Sequence, residues 1–127
     1  MKKAEEYEQI KLMHYCTLLE RTNKILMHFA IPNGGSRNVL EAANMKRAGV
    51  RAGVSDYCVV LTDKVLFIEM KRKPRVLKDG KLSFTGITIS DNQRNFISAI
   101  NMSKVCEGFV CYGFDEAKEK IDDFIKV

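Results

Sequence analysis

Residues 55–71 have the sequence SDYCVVLTDKVLFIEMK, in which two apolar segments flank the polar pair Asp63-Lys64. Short segments rich in β-branched and aromatic residues are typical of strands, so we predict strands over 55–62 and 65–71 joined by a two-residue turn. Apolar residues occupy both alternating sets of positions, and a sheet that is apolar on both faces must be covered on both. The stretch therefore predicts an α/β fold with three layers, a central sheet between helices.

The rest of the chain supplies the elements that would cover this sheet. Helical spacing of apolar residues predicts helices over 4–22, 38–47, 91–103 and 115–126, and short apolar runs predict strands over 25–31 and 107–112. Asp79-Gly80 predicts a hairpin tip, because this pair adopts the positive φ angles that tight turns require. The order is α-β-α-β-β-α-β-α without a repeat or linker, so we predict a single domain over residues 1–127.

Three chemically active side chains fall on one face of the predicted hairpin. With a turn at Asp63-Lys64, Asp56 lies opposite Lys71, and Glu69 lies diagonally across from Asp56. Alternation along a strand places all three on the same face. Opposed Cβ atoms are about 5 Å apart and diagonal ones about 7–8 Å. This convergence depends on the parity of the register, because a shift of one residue would turn Glu69 to the other face.

Two carboxylates and an amine in this arrangement suit phosphodiester hydrolysis. Asp56 and Glu69 could share Mg²⁺ or Mn²⁺, which prefer carboxylate oxygens and lower the pKa of a bound water. Lys71 could orient or deprotonate that water, or stabilise negative charge in the transition state. The alternative is an ordinary cross-strand ion pair between Asp56 and Lys71.

The composition favours an anionic partner and a cytoplasmic location. The chain has 127 residues and a formal charge of +5, with basic residues clustered on either side of the predicted hairpin. Such clusters can also be plain solvated surface. No apolar run approaches the roughly 18 residues that span a bilayer, and acidic residues follow Lys2 and Lys3, so we expect neither membrane insertion nor a signal peptide. The four cysteines lack metal or disulfide spacing, so we expect free buried thiols. We also expect no organic cofactor.

Four blocks in order resemble a known nuclease family. They are FAIPNGGSR (29–37), GVRAGVSD (49–56), IEMK (68–71) and SDNQ (90–93). Asp56 followed by Glu69-Met70-Lys71 resembles the PD-(D/E)XK nuclease core, and the whole set is similar to a stand-alone virus-type replication-repair nuclease (VRR-NUC) domain. The resemblance covers about residues 5–114 and implies a restriction-endonuclease-like α/β/α core with a mixed sheet. One departure is Ser55, where the family usually has proline.

The resemblance also implies roles for individual residues. Asp56, Glu69 and the backbone carbonyl of Met70 would hold the metal, and Lys71 would be the catalytic lysine. Gln93 would lie beside this lysine, although Ser90 and Gln93 also fit a helix capping box. The family uses a glutamate on the first helix, for which we choose Glu5. Glu6 and Glu8 remain alternatives, as does a plain acidic helix start.

The implied partner is DNA, probed by shape rather than by sequence. The candidate DNA-binding residues are basic side chains around the site: Arg37, Lys46, Arg47, Arg51, Lys73 and Arg75. Stand-alone members resemble Holliday-junction resolvases and act as homodimers, so branched DNA, a homodimer and a phage or prophage replication-repair role are expected. The alternatives are a non-catalytic basic nucleic-acid-binding module and a flap- or end-directed nuclease.

Overall fold

The computed structural model describes residues 3–32 and 38–125. Its helices are α1 (Lys3–Arg21), α2 (Val39–Arg47), α3 (Asp91–Ile100) and α4 (Phe114–Ile125). Its strands are β1 (Met27–Ala30), β2 (Tyr57–Val60), β3 (Val65–Lys71), β4 (Arg75–Val76), β5 (Leu82–Ser83) and β6 (Cys106–Tyr112). The predicted order of elements is confirmed, and the predicted tip at Asp79-Gly80 joins the two short strands β4 and β5.

The four longer strands form one mixed sheet in the order β1-β2-β3-β6. Strand β2 pairs in the antiparallel direction with both β1 and β3, whereas β3 and β6 are parallel. A parallel pair requires a crossover, which α3 provides between β3 and β6. The mixed α/β architecture implied by the sequence is therefore confirmed.

One face of the sheet packs against α1 and α4. The buried positions of α1, among them Leu12, Cys16 and Leu19, recur every three or four residues and form one stripe along the helix. Ala117 and Ile121 form the corresponding stripe on α4. Both stripes meet strand residues of the set that includes Leu66, Ile68, Met70 and Cys111, and these together form the hydrophobic core.

The opposite face of the sheet is covered by α3. The Phe96 ring meets Phe67 edge-on, with centroids 5.5 Å apart. Gly108 allows the helix to approach, because a Cβ there would contact Ile100 at 3.4 Å. Asn101, just after the helix, exchanges two hydrogen bonds with the backbone of Gly108, at 2.7 and 2.9 Å. The predicted third layer is therefore present.

The register between β2 and β3 differs from the prediction by two residues. Val60 lies opposite Val65 and Cys58 opposite Phe67. The connection is closed by a hydrogen bond of 2.8 Å from the Leu61 N–H to the Lys64 carbonyl. Its tip is therefore Thr62-Asp63, one residue earlier than predicted. A shift of two residues preserves the parity, so each side chain stays on the face that was predicted for it.

The cysteines and α2 complete the picture. All four cysteines are free thiols; Cys16, Cys58 and Cys111 are buried and Cys106 is half-buried. Helix α2 begins at the cap Asn38, whose side chain accepts a hydrogen bond from the Glu41 N–H. None of its residues is buried, so α2 is a surface helix. None of the helices among the described residues has the length and hydropathy of a membrane-spanning segment.

Candidate active site

Asp56 lies one residue before β2, and continuing the observed register places it opposite Glu69. The predicted pairing of Asp56 with Lys71 is therefore wrong. Asp56 and Glu69 form one of the non-hydrogen-bonded pairs of the antiparallel ladder, in which opposed side chains are closest. The Asp56 Oδ2 atom accepts a hydrogen bond of 2.9 Å from the Met70 N–H. The observed register therefore brings the Asp56 and Glu69 carboxylates closer together than the predicted diagonal arrangement would.

Met70 contributes its backbone to the same place. The N–H and C=O of a residue in an extended strand point to the same side. The Met70 N–H points towards Asp56, whereas the carbonyl of the next residue, Lys71, accepts from Gly113 on the β6 side. The Met70 carbonyl is therefore directed to the Asp56 side of β3, as its expected role requires.

Glu69, Lys71 and Gln93 form a nearly buried polar network. Glu69 and Lys71 are only 2% and 7% exposed. The Lys71 Nζ atom lies 3.8 Å from Glu69 Oε2 and donates to Gln93 Oε1 at 3.3 Å. The Gln93 Nε2 atom in turn donates to Glu69 Oε2 at 3.3 Å. The lysine is thus held between the carboxylate and the amide.

Gln93 also closes the capping box that its spacing predicted. Its Oε1 atom accepts from the Ser90 N–H at 2.9 Å, and its own N–H donates to the Ser90 hydroxyl at 3.1 Å. An amide oxygen has two lone pairs, and here both have donors, the Ser90 N–H and the Lys71 ammonium. The capping box is therefore present and leaves Gln93 in contact with Lys71, because the first turn of α3 faces the lysine. An active-site role for Gln93 stays a prediction.

The charge on Glu69 is disfavoured by its surroundings. Burial, and next the adjacent Asp56 carboxyl, raise the pKa of Glu69 well above its usual range, and Lys71 offsets only part of this effect. Glu69 Oε1 is also buried with no hydrogen-bond partner among the described residues. An unpartnered carboxylate oxygen beside a second acid is a costly arrangement that a bound cation would stabilise.

A hard divalent cation fits this donor set. Asp56, Glu69 and the Met70 carbonyl would supply the oxygen ligands that Mg²⁺ or Mn²⁺ prefer. Within residues 3–32 and 38–125, no three His, Cys, Asp or Glu side chains already converge on a single point. The fit therefore rests on two carboxylates and one backbone carbonyl, with water completing the coordination sphere as is usual for Mg²⁺.

Gly53 positions the loop that carries Asp56. It has φ of +88°, and a Cβ at this position would lie 2.4 Å from the backbone C and O atoms of Asn92. The loop thus touches the first turn of α3, one residue from Gln93. Ser55 follows it, fully buried, and its hydroxyl has no hydrogen-bond partner in the described part of the chain. Ser55, at the position where the resembling family usually has proline, is thus buried next to Asp56.

The structure separates the three candidate glutamates of α1. Glu8 is buried, and its carboxylate accepts from the Phe114 N–H at 2.8 Å and from Lys11 at 3.1 Å. Glu8 thus caps the start of α4, a role that the sequence analysis missed. Glu6 lines a separate groove between α1 and β1. Glu5 is half-buried and close enough to raise the pKa of Glu69, though least among the causes, so its expected role stays a prediction.

The basic residues are placed less uniformly. Lys46, Arg47, Arg51 and Arg75 are exposed, and Arg47 contacts the side chain of Asn44. Lys73 pairs with Asp115 at 3.3 Å. Arg37 and the glycine-containing loop around it lie outside the described residues. Contacts of these residues with DNA stay predictions.

Fold and site together define a class: three-layer α/β/α domains whose mixed sheet carries an acid, a second acid and a lysine at neighbouring strand ends. Comparisons with models of known families and with curated proteins found no match. Among solved structures, a chain described as a VRR_NUC domain protein matches with a TM-score of 0.67 and 20% sequence identity, covering 99% of this chain and 91% of that chain. A likeness at this identity shows the fold, so the fold that the sequence resemblance implied is confirmed.

Proposed function

We propose that this protein is a metal-dependent, structure-directed endonuclease that hydrolyses phosphodiester bonds of branched DNA, such as four-way junctions. The observation that carries the proposal is the nearly buried network of Glu69, Lys71 and Gln93 beside Asp56. Burying Glu69 and Lys71 beside the half-buried Asp56 costs stability, and folding alone does not require such an arrangement. The likeness of the fold to a VRR_NUC domain protein supports the same reaction class.

Each residue has a distinct part in this mechanism. Asp56, Glu69 and the Met70 carbonyl would hold Mg²⁺ or Mn²⁺, which when bound supplies charge neutralisation and a more acidic water. The Lys71 ammonium lies beside the Glu69 carboxylate and would stabilise negative charge that develops on the phosphate oxygens. Gln93 keeps the lysine in place and satisfies its hydrogen bond before substrate binds. Glu5 would lie at the edge of the site, towards a second ion or its water.

The proposal extends to assembly and setting. Recognition would depend on phosphate contacts and DNA shape, for which Arg37, Lys46, Arg47, Arg51, Lys73 and Arg75 are the candidates. Two copies related by a two-fold axis would offer two sites to a symmetric junction. The resemblance favours a role in phage or prophage replication and repair within the host cytoplasm.

Cleavage assays test this proposal. The protein is incubated with a synthetic four-way junction, a flap, a linear duplex and supercoiled plasmid, each with Mn²⁺, Mg²⁺ or EDTA. Cleavage of the junction that needs metal and is lost in Asp56→Ala and Lys71→Ala is expected. Binding without cleavage under every metal condition would overturn the proposal in favour of a binding module, and preferred cleavage of flaps or ends would redirect it to those substrates.

A further inference from the structure

The segment 72–89, called here the basic hairpin, both begins and ends at the candidate active site. It follows Lys71 directly and leads into Ser90 and Gln93, and the hydrogen bond between Lys71 and Gln93 closes it at its base. Strands β4 and β5 pair within it, Arg75 opposite Ser83 and Val76 opposite Leu82. A ligand bound along the basic hairpin and reaching its base therefore lies next to the Lys71 ammonium.

The tip and the base of the basic hairpin are well defined. At the tip, the Leu77 N–H donates to the Lys81 carbonyl at 2.8 Å, and Gly80 adopts φ of +83°. At the base, the Arg72 guanidinium donates to the Thr85 carbonyl at 2.6 Å. The Phe84 ring packs edge-on against Tyr112, with centroids 5.1 Å apart. The contact between Phe84 and Tyr112 anchors the hairpin to the sheet, while residues 76–82 are exposed.

Most of the net charge of the chain lies in this segment. It contains five basic residues (Arg72, Lys73, Arg75, Lys78, Lys81) and one acidic residue, Asp79, which gives a formal charge of +4 out of +5 for the whole chain. Within residues 3–32 and 38–125, Arg75, Lys78 and Lys81 form no ion pair. A concentrated, uncompensated positive charge attracts a polyanion and repels a second copy of the same hairpin.

One face of the basic hairpin is apolar and uncovered. Val76 and Leu82 are directly opposed, so their side chains share a face, and they are 71% and 55% exposed. Arg75 and Ser83 belong to the other face by alternation. An isolated two-stranded hairpin is marginally stable in water, and this one also exposes its apolar pair. The exposed pair offers an apolar surface to a partner, directly beside the concentrated positive charge.

We infer that the basic hairpin is a branch-recognising element, in which Val76 and Leu82 pack against base faces exposed where stacking is interrupted while Arg75, Lys78 and Lys81 contact phosphates. This inference rests on the proposed DNA nuclease function and adds the part of the substrate that is recognised. A continuous duplex presents phosphates and base edges, whereas a branch point also exposes apolar base faces. Proteins that bind DNA with cationic side chains frequently insert apolar wedges between base steps, and a branch point offers base faces without the cost of unstacking.

The test measures equilibrium binding in EDTA, so that cleavage plays no part. Fluorescence anisotropy compares a four-way junction with a linear duplex for the wild type and for Val76→Thr/Leu82→Thr, substitutions that retain strand propensity. The matched control is Met102→Thr/Val105→Thr. This exposed apolar pair lies just before the start of β6, whereas the basic hairpin contacts the other end of that strand at Tyr112. Protection of the Leu77 amide from hydrogen exchange verifies that the hairpin still forms.

The hairpin variant should lose roughly tenfold in junction affinity and keep its affinity for the linear duplex, while the control keeps both. Lys78→Gln/Lys81→Gln should weaken both complexes and reduce the slope of log K against log salt by about two, unlike Lys24→Gln/Lys104→Gln. Unchanged junction binding by Val76→Thr/Leu82→Thr overturns the inference, as does conversion of a dimer to a monomer by that variant in sedimentation. A wild type that binds junctions through the hairpin without cleaving them refutes the nuclease proposal alone.

Discussion

The Asp56 carboxylate accepts a hydrogen bond of 2.9 Å from the backbone N–H of Met70. Strand β2 begins one residue later, at Tyr57, so the side chain of Asp56 takes the place of a backbone acceptor in the ladder. The bond fixes the carboxylate opposite Glu69 without neutralising its charge. The antiparallel pair of β2 and β3 thus ends at a carboxylate of the candidate site. The same hydrogen bond closes the ladder and positions Asp56.

The contact between Gly53 and Asn92 predicts that Gly53→Ala will damage the site. A Cβ would lie 2.4 Å from backbone atoms of Asn92, and a φ of +88° strains any residue with a side chain. We expect a loss of about 2–4 kcal/mol in the free energy of unfolding, measured in urea, and a large fall in kcat. Gly49→Ala is the control, since Gly49 also has positive φ but no atom within 4 Å. Equal effects of the two substitutions would contradict the role of the contact.

Gln93→Ala and Ser90→Ala should separate helix capping from catalysis. Each removes one side of the capping box, so each should lower the free energy of unfolding by about 1 kcal/mol. Only Gln93→Ala removes the contacts with Lys71 and Glu69, and its kcat should fall a further 10- to 100-fold, roughly, with little change in KM. Parallel losses of kcat in both variants would show that Gln93 acts through the helix alone.

Glu69→Gln should stabilise the protein in the absence of metal. The raised pKa of Glu69 means that the folded state holds this proton more tightly than the unfolded state, so stability falls as pH rises from the ordinary carboxyl range towards the raised value. At pH 8 the amide should raise the free energy of unfolding by about 2 kcal/mol. It should also abolish the rise in Tm that Mn²⁺ gives the wild type. A variant that retains both the Mn²⁺ effect and activity would exclude Glu69 as a ligand.

Glu5→Ala and Glu8→Ala should have opposite consequences. Glu8 satisfies the Phe114 N–H from a buried position, so its loss should cost about 1–3 kcal/mol in unfolding experiments and leave the kcat of the folded enzyme unchanged. Glu5 forms no comparable hydrogen bond or ion pair among the described contacts. Its loss should lower kcat at limiting Mn²⁺ without changing Tm. A fall in kcat for Glu8→Ala at a temperature where it is fully folded would reverse the assignment.

The sequence predicted which residues share a face better than which residues are paired. Apolar alternation in 55–71 constrains the parity of the strands, and a register shifted by two residues satisfies the same pattern. The choice depended on whether the turn was Thr62-Asp63 or Asp63-Lys64, and Leu61 is buried in the observed arrangement, which anchors the end of β2. Local turn chemistry was too ambiguous to decide this.

The residues that sequence reasoning missed act through contacts between distant parts of the chain. Glu8 caps a helix that begins 106 residues later, and Gly53 meets Asn92 across the gap between a loop and a helix. Neither contact has a local spacing that could have revealed it. The capping box of Gln93 could be predicted because it is a local pattern. Its contact with Lys71 was expected only from the family resemblance, and the packing of α3 against β3 produces it.

The central proposal, a divalent cation held between Asp56 and Glu69, can be tested by locating a bound metal ion. Crystals grown with Mn²⁺ and measured near the manganese absorption edge give an anomalous difference map that locates the ion independently of the protein atoms. If these residues hold the ion, one strong peak lies within about 2.2 Å of an oxygen of Asp56, an oxygen of Glu69 and the Met70 carbonyl. A fully occupied peak elsewhere, or none at this place with Mn²⁺ in excess, would contradict it.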